Sequence, residues 1–309
     1  MLSIFSIPKP FAGHSEIIQR NAIQSWLQLK PQCEIILCGT DQGVSEIAME
    51  YDLIHIPDIE SNDFGTPLLN SAFNKVRQVS KNNLTCYVNA DIIILNSLID
   101  AIRLVPFQHY LLLGQRWNMD ITDLIDFDKL GWEEELKHVL NKRGQLQPPF
   151  GSDYFVFNKE IKWEMPEFAV GRPGWDNWLI YKARALNLPV VDGTKVVVAI
   201  HQNHDYSHVP KADDLSSFEG PEAVMNRDLM GSKSHAFNIN DATHQLTQTS
   251  ISKALDYKSL QYRISRQPTL NPSKGRLHKF YWRFLYAMLE YRKIFPKNHL
   301  ETAIYNLTK

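Results

Sequence analysis

Leu84-Thr-Cys-Tyr-Val-Asn-Ala-Asp-Ile-Ile-Ile-Leu95 is the stretch on which the fold turns. Its first half is an apolar, β-rich run of the kind that forms a central strand. Asn89 and Asp91 break the apolar run where that strand should end. Upstream, strand and helix patterns alternate. Leu2–Ile7 is an apolar strand stopped by Pro8. Residues 15–29 have helical spacing, with Ile17, Ile18, Ile23, Trp26 and Leu27 on the apolar surface and Ser15 at the N-cap. Glu34–Leu37 and Leu53–Ile56 are further strands. Pro67–Val79 reads as a helix with its proline in the first turn. Downstream, Leu95–Leu104 is helical and Tyr110–Gly114 a strand. Strands separated by helices imply an α/β fold, with a mostly parallel sheet covered by helices on both faces. Such sheets bind ligands beyond the C-terminal ends of their strands. That rule singles out residues 8–10, 39–43 and 89–91.

The next part is less regular. Trp132–Leu140 and Trp175–Leu186 read as helices; Tyr154–Phe157, Val190–Val191 and Lys195–Ile200 read as short strands. The expected division is a catalytic domain over residues 1–212 and a C-terminal extension over 213–309. The extension begins with a polar stretch and ends in a helix around Lys279–Ile294, rich in aromatic and basic residues. That helix suits either an anionic membrane surface or a protein surface, its own domain or a second subunit.

Composition narrows the class. A chain of 309 residues with 44% hydrophobic and 22% charged side chains has the make-up of a globular enzyme-sized protein, not a disordered one. The 33 basic and 34 acidic residues nearly cancel, which argues against a nucleic-acid partner. Cys33, Cys38 and Cys86 form no CxxC pair and suit buried thiols in a reducing compartment. The N-terminus lacks a basic start, and every long apolar stretch is interrupted. The expected location is the cytoplasm, with peripheral membrane contact open.

Several polar clusters carry chemistry. Asp91, at a strand end, can hold a divalent cation; its ordinary reading is a helix cap before Ile92–Leu98. Asp176, between Trp175 and Trp178 at a helix start, can accept a proton from a hydroxyl; plain capping is its alternative. His201-Gln-Asn-His-Asp-Tyr-Ser-His208 concentrates imidazoles after an apolar strand, with His201 and His204 spaced to share a metal only in a tight turn. No HExxH arrangement accompanies them, which argues against a zinc protease. Arg116 can bind phosphate or pair with a buried carboxylate, and Asp120 can orient a sugar hydroxyl. Asp153 follows two compact residues and fits a ligand contact or a turn. Lys9, between prolines, can meet a phosphate or sit in solvent. Asp41 can contact a base or ribose or shape a turn.

Taken together, residues 1–210 resemble nucleotide-sugar glycosyltransferases of the GT-A type, and a little-characterised bacterial-type group among them. The blocks are Ile7-Pro-Lys-Pro-Phe, Asn62-Asp-Phe-Gly-Thr-Pro, Val88-Asn-Ala-Asp-Ile, Gly114-Gln-Arg-Trp-Asn-Met-Asp, Gly151-Ser-Asp-Tyr-Phe-Val-Phe, Gly171-Arg-Pro-Gly-Trp-Asp-Asn-Trp and His201-Gln-Asn-His-Asp-Tyr-Ser-His. The resemblance implies that Asn89-Ala-Asp91 stands for the usual Asp-any-Asp, with an amide replacing the first acid. It implies Asp91 as ligand to Mn²⁺ or Mg²⁺, helped by His201 or His204, and Asn89 beside the donor ribose or phosphate. Asp176 resembles the base of inverting members, and Asp41 the residue near the nucleotide base. The expected partners are a nucleotide-diphospho-sugar donor and a glycan or other hydroxyl acceptor. Three other readings stay open: a sugar-nucleotide nucleotidyltransferase, a metal-dependent hydrolase, and a carbohydrate-binding scaffold without turnover. The first lacks its glycine-rich loop after strand one, and the second its close two-metal cluster.

Overall fold

The structure, a computed structural model, describes residues 1–204 and 219–290. Its first half runs β1 (Leu2–Ser6), α1 (Gly13–Leu27), β2 (Glu34–Cys38), α2 (Val44–Glu50), β3 (Ile54–Ile56), α3 (Leu69–Val79), β4 (Leu84–Val88), β5 (Ile92–Ile94), α4 (Ser97–Arg103), β6 (Leu111–Leu113) and β7 (Trp117–Met119). Then come α5 (Trp132–Arg143), β8 (Gln145–Leu146), β9 (Tyr154–Asn158), α6 (Trp175–Ala185), β10 (Val190–Asp192), β11 (Ala199–Gln202), α7 (Pro221–Leu229), β12 (His244–Leu246), β13 (Ile251–Lys253), α8 (Tyr257–Leu270) and α9 (Arg276–Glu290).

Nine strands form the main sheet in the order β13-β12-β10-β6-β9-β4-β1-β2-β3. Only β9 and β13 run against the rest. The central strands, β2, β4, β6 and β9 above all, are mostly apolar because both faces are covered, whereas the edge strands β12 and β13 are polar and partly exposed. Alternate side chains go to opposite sides. Leu2 and Ile4 of β1, Ile35 and Leu37 of β2, and Cys86 and Val88 of β4 meet Ala22, Ile23 and Trp26 of α1, Val44 and Ile47 of α2, and Leu98 of α4. Phe5, Ile36, Cys38 and Tyr87 point the other way, to Leu69, Phe73 and Val76 of α3 and Trp175 and Leu179 of α6. This is the mostly parallel, doubly covered α/β architecture expected from the sequence, with helices α8 and α9 near its C-terminal end. Cys33, Cys38 and Cys86 are buried free thiols.

A second sheet, β5-β11-β7-β8, sits at the C-terminal end of β4. It matters most for the site. β11 runs antiparallel to β5, with His201 opposite Ile92, and parallel to β7, with His201 opposite Asn118.

Local details depart from the sequence reading. Helix α1 starts at Gly13, and its N-cap position is Ala12, with no side-chain cap, so Ser15 is not the cap. Tertiary contact sets the entry instead: Gln19 accepts from the Lys9 backbone N–H and donates to the Lys9 carbonyl. Pro67 precedes α3 rather than opening it, because β-bridges at Pro67 and Leu68 hold the chain extended there. Ile92 begins a strand and not a helix, which removes the capping role considered for Asp91. Residues 193–197 are tied into a turn by Val196 and Val197 donating to the Gly193 carbonyl. The expected Lys195–Ile200 strand therefore shifts to Ala199–Gln202 and takes in His201. The boundary expected at 212 lies outside the described residues, as do His208 and the stretch of the last helix beyond 290. Strands β12 and β13, which follow that boundary, belong to the main sheet, β12 pairing in parallel with β10.

Candidate active site

Sheet pairing, not sequence proximity, brings the first cluster together. Asp91 lies between β4 and β5, one residue before Ile92. The β5–β11 register sets His201 opposite Ile92, next to Asp91, with Nε2 3.8 Å from Asp91 Oδ2. Three residues on, His204 Nε2 comes within 2.9 Å of the same oxygen. Gln202 fixes this turn from inside. Its backbone N–H and side-chain amide both donate to the Asp91 carbonyl, at 3.3 and 3.2 Å. The same amide reaches the Ile18 carbonyl, and its oxygen accepts from Asn21. Trp26, fully buried on α1, donates its indole N–H to the Ile92 carbonyl. Helix α1 thus holds the backbone at Asp91 and Ile92.

The electrostatics of the cluster suit a cation. Burial alone would raise the Asp91 carboxyl, but the His204 hydrogen bond and the charges of His201, Lys9 and His204 overcome it and hold it well below the usual carboxylate range. Burial pushes His201 below its ordinary value, more than the opposing pull of Asp91. An ionised carboxylate and a neutral imidazole are the forms that bind metals. One ligand atom from each of Asp91, His201 and His204 lies within 4.8 Å of the others. Asp91 Oδ1 and His201 Nδ1 are buried without a hydrogen-bond partner among the described residues. Unmet polar capacity of that kind is costly unless something fills it. A nitrogen-rich donor set with an unused carboxylate oxygen fits a divalent transition ion.

The second cluster meets the first through Asp153. The β4–β9 pairing places Asp153 beside Asn89, whose backbone N–H donates to the Asp153 carbonyl. Asp153 Oδ1 accepts from Asn89 Nδ2 at 2.6 Å and pairs with Arg116 Nη1 at 2.6 Å. Arg116 also donates to Asn118. Asp176 is in the first turn of α6, after Gly174, whose φ of 104° is readily reached only by glycine. Burial pushes the Asp176 carboxyl up to about 6; the neighbouring Asp153 charge adds to the rise, and the Asn177 and Ser152 amides oppose it. That value suits a proton acceptor working near neutral pH.

Of the remaining sequence candidates, Lys9 acts on Asp91 by its charge, and its backbone is pinned by Gln19. Asp120 accepts a 2.7 Å bond from Asn203, beside the histidines. Asp41 is exposed in the turn after β2, where its carbonyl accepts from Val44. The structure thus brings Lys9, Asn89, Asp91, Arg116, Asp153, Asp176, His201 and His204 into one linked group, with Asp120 alongside and Asp41 apart.

Sequence reasoning missed the residues that hold this group. Gln19, Asn21 and Gln202 are buried polar side chains in otherwise apolar surroundings. Glu222, near the start of α7, joins two of the sequence blocks: it accepts from Asn62 and from Arg172. A signal for it existed, since Pro221 at the first position of a helix marks such a start.

No family model matches the chain, and no curated protein does. Solved structures do. A Desulfovibrio desulfuricans G20 protein assigned as a nucleotide-diphospho-sugar transferase is 11% identical, with 74% of this chain and 96% of that one covered and a TM-score of 0.38. Glucosyl-3-phosphoglycerate synthase from Mycobacterium tuberculosis, in complex with Mg²⁺ and UDP, is 12% identical over 75% and 79%, at 0.43. S. aureus TarS, in complex with UDP-GlcNAc, is 12% identical over 74% and 70%, at 0.44.

Proposed function

We propose that the protein is a glycosyltransferase that moves a sugar from a nucleotide-diphospho-sugar to an acceptor hydroxyl with inversion. The observation that carries this reading is the Asp91–His201–His204 cluster at the end of the central strand, with the half-buried Asp176 carboxyl of raised pKa close to Asp153. Asp91, His201 and His204 would hold Mn²⁺ or Mg²⁺, and two imidazoles in the set favour Mn²⁺. The bound ion would offset negative charge on a departing diphosphate. Lys9 adds positive charge on the same side. Asp176 takes the proton of the acceptor hydroxyl as its oxygen bonds to the anomeric carbon. The bond from that carbon to the diphosphate oxygen breaks, and its electron pair leaves with the nucleoside diphosphate. Burial keeps Asp176 basic, and the charge of Asp153, held by Asn89 and Arg116, adds to it. No described helix is long and apolar enough to cross a membrane, so contact of these residues with a lipid surface would be peripheral.

Calorimetry with a panel of nucleoside diphosphates and their sugars, with and without Mn²⁺, tests the reading. One of them should bind with metal enhancement, more with Mn²⁺ than with Mg²⁺, and Asp91→Ala should abolish the enhancement. Failure of every member to bind well-folded protein would sink the donor site and leave a scaffold as the better description.

A further inference from the structure

Helix α9 exposes large apolar side chains that the fold does not use. Leu277 is 86% exposed, Phe280 70%, Phe284 55% and Met288 42%. At about 100° per residue these four fall within an arc of roughly 80° on one side of the helix. A different side carries Trp282 and Leu285, buried against Leu260 and Ile264 of α8. Among the described residues, the fold therefore accounts for one apolar face of α9 and leaves the other open. Contiguous exposed apolar surface on a helix marks an interaction site.

The charges beside the open face point to its occupant. Arg276, Lys279 and Arg283 are exposed and lie on the flank next to Phe280. Against these three cations the helix has a single acid, Glu290, while the whole chain has a net charge of −1. An apolar arc bordered by cations is the pattern of a helix lying in a lipid interface, its aromatic and aliphatic side chains in the acyl boundary and its cations at the headgroups. A second copy fits less well. In a two-fold contact each helix would bring the same cations against its partner. We propose that α9 docks this protein onto an anionic lipid surface by Leu277, Phe280, Phe284 and Met288, with Arg276, Lys279 and Arg283 at the headgroups. The observation is independent of the active site. Its consequence would be an enzyme working on acceptors displayed at that surface.

Flotation of the full chain with phosphatidylcholine vesicles, with and without phosphatidylglycerol, tests this. The protein should float with the anionic vesicles and not with the neutral ones. Phe280→Ser with Phe284→Ser should lower partitioning about tenfold or more. Replacing one of the three cations by Gln should lower it about fivefold, and added salt should mimic that loss. All of these sites are exposed, so the variants should keep the wild-type melting temperature and donor binding. Asp91→Ala should float like wild type, which separates this proposal from the active-site reading. No flotation of folded protein would overturn it, as would flotation indifferent to both sets of substitutions. A dimer that Phe280→Ser dissociates, in protein that ignores vesicles, would assign the face to a second copy instead.

Discussion

Asn89 occupies a position where an acid would work against itself. Its amide donates at 2.6 Å to the Asp153 oxygen that also pairs with Arg116. A carboxylate there would face Asp153 directly, with one guanidinium between two like charges. Asn89→Asp should therefore not strengthen metal binding. Mutual repulsion would raise the folded-state pKa values of the 89–153 pair. Stability tied to such groups is present below their unfolded values and lost as pH rises through the folded ones. Thermal melts should thus show a deficit on the order of 2 kcal/mol at pH 8 that shrinks towards pH 5. A deficit equal at both pH values would point to a steric cause.

At Asp176 chemistry and stability pull in opposite directions. Its carboxyl is raised from 3.8 to about 6, chiefly by burial. The sign is that of a group whose stabilising contribution is full below 3.8 and lost as pH climbs to about 6, so at neutral pH the charged form burdens the fold. Turnover should rise with pH along an acid limb near 6. Asp176→Asn should cut turnover by about 10²–10⁴ while leaving donor binding intact. Its melting temperature at pH 7.5 should equal or exceed that of wild type. If melting temperature and donor binding fall together with activity, Asp176 is a structural group and the base lies elsewhere.

At the scale of elements, α7 is held to the core by a charge pair. The side chains of Arg172 and Glu222 are 11% and 9% exposed, and Asn62 donates to the same carboxylate. Removing one partner of a buried pair strands the other charge. Glu222→Ala should cost about 3 kcal/mol, read as a lower urea midpoint, and should raise hydrogen exchange in α7 before the main sheet. Unchanged exchange there would mean that the pair does not secure the helix. Gly114 is fixed by a different constraint. A Cβ there would come within 2.3 Å of the Tyr154 hydroxyl and 2.9 Å of the Thr194 backbone nitrogen. Gly114→Ala should destabilise by about 1–3 kcal/mol and shift the turn that leads to Arg116.

What the sequence made legible at this scale follows from how each element is specified. β1, β2, β4 and β9 are apolar at nearly every position because helices cover both their faces, so their patterns show without a structure. β7 and β8 are three and two residues long and largely polar or exposed. Only pairing across long sequence separations fixes them, and pairing is invisible in one chain. Asp91, His201 and Asp176 stood out as polar residues at the ends of readable elements. Gln202 and Asn21 did not, because a buried amide bonded to a distant carbonyl carries no local pattern.

At the scale of the molecule, the last strands decide where the chain can be cut. β12 pairs with β10, and Leu246 lies in the same buried cluster as Leu2, Ile4 and Val191. On the other face Met230, Phe237, Ile239 and Ala242 pack with Phe155, Trp178 and Leu179. Arg266 of α8 reaches back to Asp241, and Arg184 of α6 donates to the Asp241 carbonyl. A chain ending at residue 212 would lose all of these and leave β10 as a bare apolar edge, which invites pairing with other chains. Such a truncation should be insoluble, or should melt far below the full chain with aggregation rising with concentration. A chain ending after α8, at residue 271, keeps β12, β13 and the Arg266–Asp241 pair and, among the described residues, loses the α8–α9 contact. It should stay folded, bind donor as the full chain does, and no longer float with anionic vesicles. If the chain ending at 212 folds cooperatively and binds donor at full strength, the later strands are an accessory and the catalytic unit is as short as the sequence reading placed it.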